Sequence, residues 1–166
     1  MKKEAGFSLI ELSVGIAIAS IIIGMGVHCI FSWLPDYRLK IAAHDLYANL
    51  QWAKVNAIKS NASWSVIFDD IHRQYFVCSD KGIERIVNLS KYGCNLNFGH
   101  GNATTGIDGA SIDGNDISYN DNSAIFDGRG FCNAGHVYFQ NDNNCCYGIG
   151  SKPTGFVFLR KLAHSS

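Results

Sequence analysis

The sequence predicts an α+β fold in which a long amino-terminal helix packs on an antiparallel β-sheet. Three features predict it: a nearly uncharged apolar run at residues 7–34, a following segment with apolar residues every three or four positions, and short runs of β-branched and aromatic residues after residue 62. A chain of 166 residues has room for one modest core beside such a helix, and its length argues against two full domains.

The apolar run has the length and charge pattern of a membrane-spanning helix. It contains one carboxylate, one histidine and no Lys or Arg, and its residues 12–34 would form a helix of about 35 Å, enough to cross a hydrocarbon core of about 30 Å. Lys2 and Lys3 precede the run, so the positive-inside rule keeps that end in the cytoplasm and sends the rest of the chain across the membrane.

Two simpler explanations of this run fit less well. A cleaved secretory signal has a shorter apolar centre of about 7 to 15 residues. A plain single-pass anchor leaves Glu11 unexplained, because a carboxylate deep in a bilayer costs up to about 2.5 to 3.5 kcal/mol. Glu11 is therefore predicted to be functional.

Residues 6–12 read GFSLIEL and follow the short basic stretch MKKEA. This segment resembles the G-F-[ST]-L-[IV]-E-[LM] signature of type IV pilins and pseudopilins. The resemblance implies that residues 1–6 are a leader, that a prepilin peptidase cuts between Gly6 and Phe7, and that the new amine of Phe7 is methylated. It makes Glu11 the fifth residue of the mature chain.

The resemblance also implies location and partners. The chain would enter the bacterial inner membrane with a single pass, keep its amino terminus cytoplasmic and its carboxy-terminal domain periplasmic, and later join a periplasmic or extracellular filament. Its partners would be other pilins or pseudopilins, the prepilin peptidase and the inner-membrane assembly platform.

Glu11 can be assigned a role in assembly from charge alone. Cleavage would leave an ammonium on Phe7, and a helix amino terminus adds roughly half a positive charge, so a carboxylate of a neighbouring subunit is attracted there. Two unit charges about 4 Å apart interact by about 4 kcal/mol at an effective dielectric constant of about 20, which is comparable with the cost of holding Glu11 in lipid.

Small residues that allow close helix packing recur along the same segment: Gly15, Ala17, Ala19, Ser20, Gly24 and Gly26.

The segment after the apolar run is predicted to continue the helix. Because Gly24 and Gly26 lower helix propensity by about 1 kcal/mol each, we expect the helix to soften near them, although Pro35 lies further on. Residues 35–61 then form an amphipathic helix ending near Asn61, whose apolar face is Leu39, Ala42, Ala43, Leu46, Leu50, Ala53 and Ala57.

Residues 62–166 are predicted to form a β-rich globular domain. The segment from residue 92 to residue 122 is dense in Gly, Asn, Asp and Thr, which indicates a long loop with one strand near Ile117. The other predicted strands follow the β-branched and aromatic runs: residues 64–68, 75–78, 83–89, 123–126, 136–140, 148–150 and 155–159.

Two glycine-containing segments, residues 124–130 and 148–158, resemble the carboxy-terminal half of the GspH/FimT branch of minor pilins. The resemblance implies a pilin-like fold for most of the chain. Physically, Gly128, Gly130 and Gly155 are expected to supply positive φ angles for tight turns.

Six cysteines favour an oxidising compartment, and one of them lies in the apolar run. The other five form at most two intrachain bridges. Cys145 and Cys146 are adjacent and are poor partners for each other. We expect Cys78 to pair with Cys94, and Cys132 with Cys145 or Cys146, each bridge contributing about 2 to 4 kcal/mol.

The net charge of the chain is zero. The 14 basic residues balance the 14 acidic ones, so the whole chain has no electrostatic field that favours nucleic acid or an anionic surface.

The sequence gives little support for metal or cofactor chemistry. His100 and His136 could join cysteines at a metal, but no CxxC pair or H-x3-H spacing occurs, and no enzyme motif stands out. We therefore expect no metal site, no cofactor and no catalytic residue.

Three functions remain in competition. The preferred one is a minor pilin or pseudopilin at the tip or priming complex of a type IV pilus or a type II secretion pseudopilus, and bridged loops would favour the pilus. The alternative is a DNA-binding minor pilin, because some FimT-like proteins bind DNA through a basic carboxy-terminal region, here Lys152, Arg160 and Lys161. The third is a membrane-tethered enzyme, which requires a convergent polar pocket.

Overall fold

The computed structural model describes residues 8–93, 95–112 and 114–162, and of residues 25–32 only the backbone. It divides the chain into two compact units, residues 1–34 and residues 35–166. The described elements are the helix α1 and eight strands: α1 Leu9–Ser60, β1 Trp64–Asp69, β2 Gln74–Ser79, β3 Gly82–Asn88, β4 Asn97–Phe98, β5 Ser123–Phe126, β6 Gly135–Gln140, β7 Cys146–Ser151 and β8 Val157–Leu162. Short 3-10 helices cover Leu89–Tyr92 and Asn120–Asn122.

In the first unit, the apolar side chains of residues 9–24 are exposed. Leu9, Ile10 and Leu12 are 84, 68 and 60% exposed, and the isoleucines that follow are similar. No helix among the described residues has a stretch long and apolar enough to cross a membrane. α1 is helical through Gly24, Gly26 and Pro35, so the chain does not leave the helix at the point where softening is expected.

In the second unit, α1 lays one apolar face on the β-sheets, as the sequence predicts. Its end is also close to the prediction: the helix stops at Ser60, Asn61 takes a left-handed φ of 49°, and the Ala62 amide donates to the Ala57 carbonyl at 3.2 Å. The predicted core face is fully buried at every position: Leu39, Ala42, Ala43, Leu46, Leu50, Ala53 and Ala57.

The strands form two four-stranded antiparallel sheets, where the sequence predicted one. Sheet A has the order β3-β2-β1-β5, and sheet B has the order β4-β6-β7-β8. The chain leaves sheet A after β3, and β4, which the sequence did not predict, pairs with β6 of the second sheet. The strand expected near Ile117 is only a single bridge to Val137. The other predicted strands are confirmed, with ends shifted by at most three residues.

The core of the second unit is complete without the first. Every buried residue that the structure describes lies between Leu39 and Leu162, and both sheets contribute to the largest cluster. A buried polar group is also satisfied there: Asn49 donates to the Tyr75 hydroxyl at 2.8 Å and accepts from the Arg85 guanidinium at 2.6 Å. Residues 35–166 therefore contain the interactions that a folded domain needs.

The three predicted turn glycines have two different roles. Gly130 and Gly155 have φ angles of 84° and 73°, as expected. Gly128 does not have a positive φ; a Cβ there would lie 2.7 Å from the Asn61 side-chain oxygen, so its role is close backbone approach. At Gly155 a Cβ would lie 1.8 Å from the Gly130 carbonyl oxygen, and the Lys54 ammonium donates to the Gly155 carbonyl at 2.9 Å.

The predicted pairing of Cys132 with Cys145 or Cys146 is not present, because all three are free thiols. The Cys132 thiol lies 3.2 Å from the Ser151 hydroxyl, at the end of β7, whereas Cys146 begins that strand. Five residue steps of a strand span about 16 Å, far more than the roughly 7 Å that a disulfide allows between Cα atoms. Cys78 is also a free thiol, and its predicted partner, Cys94, lies outside the described residues.

Cys145 is instead part of a polar cluster at the start of the second unit. Its thiol donates to one carboxylate oxygen of Asp36 at 3.4 Å, and Asn141 and Asn143 donate to the other at 2.7 and 3.1 Å. Burial raises the pKa of Asp36, but these hydrogen bonds and the charge of Lys161 lower it below its usual value. The cluster ties the β6–β7 turn to the helix.

The contact at Gly155 gives a stability prediction. Gly155→Ala in residues 35–166 should lower the free energy of unfolding by more than about 3 kcal/mol, since a left-handed conformation costs a non-glycine residue about 1–2 kcal/mol and the clash adds to it. Gly109→Ala is the control, because Gly109 has a φ of 87° but no atom within 4 Å of its added Cβ. Urea unfolding measures both, and equal losses would contradict the proposed contact.

The Asp36 cluster gives a reactivity prediction. Partial burial and then the Asp36 carboxylate raise the pKa of the Cys145 thiol. Asp36→Asn should therefore lower that pKa, so that alkylation of Cys145 reaches its half-maximal rate at lower pH. Mass spectrometry of iodoacetamide-treated protein across a pH series measures this at each cysteine.

Cys78 is the internal control, because it is likewise partly buried but lies in β2, outside the cluster. If Asp36→Asn raises the alkylation rate of Cys145 by the same factor at all pH values, the β6–β7 turn has loosened and the pKa of the thiol has not changed. That result would contradict the electrostatic explanation.

Candidate assembly site

The first described residue, Ser8, precedes the first turn of α1. Its carbonyl oxygen accepts hydrogen bonds from the amides of Glu11 at 3.0 Å and Leu12 at 3.2 Å. These bonds close the first turn and place the Glu11 carboxylate within it. The predicted processing site, Gly6 and Phe7, lies outside the described residues.

Glu11 is an exposed carboxylate on an otherwise apolar surface. The ion pairs among the described residues all lie in the second unit, and none involves Glu11. A carboxylate in the first turn is favoured by the helix dipole by about 0.3 to 1 kcal/mol. That is less than the cost of placing the charge in an apolar environment, so the helix alone does not stabilise Glu11 there.

The other polar side chains that the structure describes between Leu9 and Gly24, Ser13 and Ser20, are satisfied within the helix. The Ser13 hydroxyl donates to the Ile10 carbonyl and the Ser20 hydroxyl to the Ile16 carbonyl, each at 2.8 Å. Because both serines bond to their own backbone, the segment can enter apolar surroundings without unpaired hydroxyl groups. Among the described side chains of residues 9–24, Glu11 is then the polar one whose partner must come from elsewhere.

Gly15 lies on the same helix and leaves open space on its surface. No atom outside the local helix backbone lies within 4 Å of a Cβ built at Gly15 or at Gly24. Such gaps between exposed isoleucines allow the backbone of another helix to approach closely. The segment therefore has the two features that helix association in lipid needs: small residues and a polar group in need of a partner.

The three basic residues considered for DNA binding do not form one patch. Lys152 and Arg160 border the same groove, together with Phe156 and Phe158. Lys161 follows Arg160 directly in β8, and successive side chains of a strand point to opposite faces. Its charge acts on Asp36 instead. The residues that the structure describes include no group of three or more His, Cys, Asp or Glu side chains placed to hold a metal ion.

Comparison with known proteins gives two findings. Residues 1–27 match the prokaryotic N-terminal methylation motif, which spans the predicted cleavage site and Glu11. No curated protein sequence matches the chain significantly.

The fold matches solved structures of the minor pseudopilin EpsH from the type 2 secretion system of Vibrio cholerae. One has a TM-score of 0.55 at 14% identity and covers 75% of this chain and 97% of its own. A second has a TM-score of 0.55 at 18% identity and covers 80% of this chain and 99% of its own. At these identities the likeness establishes the fold. The chain thus carries the amino-terminal methylation motif of prokaryotic pilins and has the fold of a minor pseudopilin.

Proposed function

We propose that this protein is a minor pilin or pseudopilin, a structural subunit that is processed at its amino terminus and assembled into a filament through its apolar helix. The observation that carries the proposal is the methylation motif at residues 1–27, which overlaps the start of a helix whose apolar side chains from Leu9 to Ile23 are exposed. A helix that is apolar all round requires lipid or other helices around it.

The first step is membrane insertion and cleavage. Residues 7–34 cross the inner membrane with Lys2 and Lys3 on the cytoplasmic side, so residues 35–166 lie in the periplasm. The prepilin peptidase cuts between Gly6 and Phe7 on the cytoplasmic side and methylates the Phe7 amine. After the proposed cut only two residues, Phe7 and Ser8, would precede the start of α1 at Leu9.

The second step is docking against a neighbouring subunit. The Glu11 carboxylate pairs with the Phe7 ammonium of a neighbouring pilin or pseudopilin, which removes both charges from an apolar environment at once. At about 4 Å and an effective dielectric constant of about 20 this attraction is about 4 kcal/mol. Because the two groups are separated along each chain, their pairing sets a stagger between adjacent helices.

The filament is best assigned to a type II secretion pseudopilus. The sequence favoured a pilus on the expectation of bridged loops, and that basis is gone, because Cys132, Cys145 and Cys146 are free. The solved structures of similar fold are minor pseudopilins of a type 2 secretion system, and we extend that role to this chain. As a minor subunit it would act at the tip or priming complex, recruited by the inner-membrane assembly platform.

DNA binding is not proposed. Phosphate recognition needs several cations on one surface, and the two adjacent basic residues of β8 lie on opposite faces. Neither the matched motif nor the matched fold supports it.

Mass spectrometry of the protein from its native membrane tests processing. The mature chain should begin at Phe7 and carry one added methyl group on its amino terminus. Gly6→Leu should leave the leader attached, because a bulky side chain replaces the small residue at the cut. An unmethylated wild-type chain that still begins at Met1 would contradict the proposal.

Substitution of Glu11 tests assembly. Glu11→Ala should be inserted and processed normally but incorporated into sheared filaments at least about tenfold less, since it lacks the charge that pairs with a neighbouring amine. Quantitative immunoblotting of the membrane and filament fractions measures both steps. Ser13→Ala is the matched control on the same helix, because its hydroxyl bonds only to its own backbone, and it should assemble normally. Unchanged incorporation of Glu11→Ala would contradict the role of Glu11.

A further inference from the structure

A groove crosses the outer face of sheet B, because strand β7 has glycine at two outward positions. Ile149 is fully buried in the core, so Gly148 and Gly150 on either side of it face outward. A Cβ at Gly148 would lie 2.2 Å from the Ile107 side chain, and one at Gly150 would lie 2.9 Å from the Phe158 ring. The floor of the groove is therefore backbone, with Ile107 and Phe158 packed directly on it.

The strand register sets the walls of this groove. Gly150 lies between His136 of β6 and Phe158 of β8. Three adjoining hollows of about 200, 330 and 440 Å³ follow the groove, and Asp108 borders all three. The two larger hollows are within the size range of ligand-binding clefts, about 300 to 1,000 Å³.

The largest hollow has two cations without an ion-pair partner. Lys152 and Arg160 border it together with Phe156, and none of the ion pairs among the described residues involves either cation. Phe156 is 61% exposed, and its ring lies nearly parallel to that of Phe158, with 6.3 Å between the ring centroids. This end of the groove therefore offers positive charge beside an accessible aromatic ring.

The rest of the groove offers neutral hydrogen-bonding groups and one carboxylate. His136 and Ser118 both border the two smaller hollows. Burial lowers the pKa of His136, although the charge of Asp108 opposes this, so at pH 7 the ring is neutral and has one donor and one acceptor nitrogen. One oxygen of Asp108 accepts from the Ala110 amide at 3.1 Å, and the other has no hydrogen bond within the described residues.

We propose that this groove binds an acidic oligosaccharide in which sugars with a carboxylate alternate with neutral sugars. The carboxylate of one sugar pairs with Arg160 and Lys152, and the apolar C–H face of its ring packs on Phe156. Hydroxyl groups of the next, neutral sugar donate to Asp108 and bond to His136, because a hydroxyl can both donate and accept. Asp108 repels a second carboxylate at that position, so a chain that is acidic at every sugar fits less well.

Two other classes of ligand fit the groove less well. An extended peptide binds by adding its backbone to the edge of a sheet, but this groove crosses three strands whose facing backbone groups are paired with one another. A nucleic acid needs cations spaced along its phosphates. Here Lys152 and Arg160 share one hollow, and the Asp108 carboxylate borders all three.

Calorimetric titration of residues 35–166 tests the ligand class, and it is independent of the function proposed for the amino-terminal helix. A hyaluronan tetrasaccharide, in which acidic and neutral sugars alternate, should bind saturably with a Kd below about 1 mM. Chitotetraose, a neutral chain of the same length, should bind at least about tenfold more weakly, because it lacks the carboxylate. Equal binding of the two, or no saturable binding of the hyaluronan tetrasaccharide, would overturn the proposal.

Substitutions along β8 test the position of the carboxylate. Arg160→Gln should weaken binding of the hyaluronan tetrasaccharide by about tenfold, since it removes a charge-assisted contact. Lys161→Gln is the matched control: it removes the same charge from the next residue of the strand, which points to the opposite face, and should leave the Kd unchanged. Equal losses in the two variants would show general attraction to basic residues and would contradict a site in the groove.

Substitution of Asp108 tests the preference for alternating sugars. Tetragalacturonate carries a carboxylate on every sugar, so wild-type protein should bind it more weakly than the hyaluronan tetrasaccharide. Asp108→Asn should bind tetragalacturonate more tightly than wild type does, because the repulsion is removed while an acceptor oxygen remains. An Asp108→Asn variant with unchanged affinity for tetragalacturonate would contradict the place given to the neutral sugar.

Discussion

The structure of the second unit depends on the burial of one face of α1 by two sheets at once. Four of the seven residues in that face are alanines, and all seven are fully buried. Leu39, Leu46 and Leu50 belong to the same buried cluster as residues of both sheets, and the small alanines leave room for the strand side chains to pack against the helix. The largest buried cluster joins residues of the helix with residues of both sheets, so the helix packs against sheet A and sheet B together.

The same helix has opposite surroundings in its two parts. Residues 39–57 bury a narrow apolar face, although Ile41, Trp52 and Val55 on the other side stay exposed. Residues 9–24 are exposed and apolar in nearly every direction. One helix therefore meets two different requirements. A helix that packs on a water-soluble domain needs an apolar stripe along one side, whereas a segment surrounded by lipid or other helices needs an apolar surface all round. This change of pattern along a single element is what makes a tethered, filament-forming subunit physically reasonable.

Local patterns in the sequence predicted most of the elements, because their signals are short-range. The helical face from Leu39 to Ala57 and the strands after Trp64 follow directly from periods of 3.6 and 2. The division into two sheets could not be predicted, since it depends on β4 pairing with β6, some forty residues away, and β4 has only two residues. The pairing of Cys132 with Cys145 or Cys146 could not be judged from the sequence either, because Cys132 lies at the far end of β7 from both of them. The separation of Arg160 from Lys161, by contrast, was available from the strand period alone.

The two units differ in whether their polar side chains find partners within the chain. In the described part of the structure, no buried side-chain nitrogen or oxygen lacks a partner, and even the deeply buried Asn49 is matched by Tyr75 and Arg85. The second unit therefore satisfies its polar side chains internally. Glu11 differs, because its helix supplies only a weak dipole and its apolar neighbours supply nothing. If that helix is to enter lipid, the counter-charge must come from another molecule, and a new amino terminus on a neighbouring helix is the positive group that cleavage itself creates.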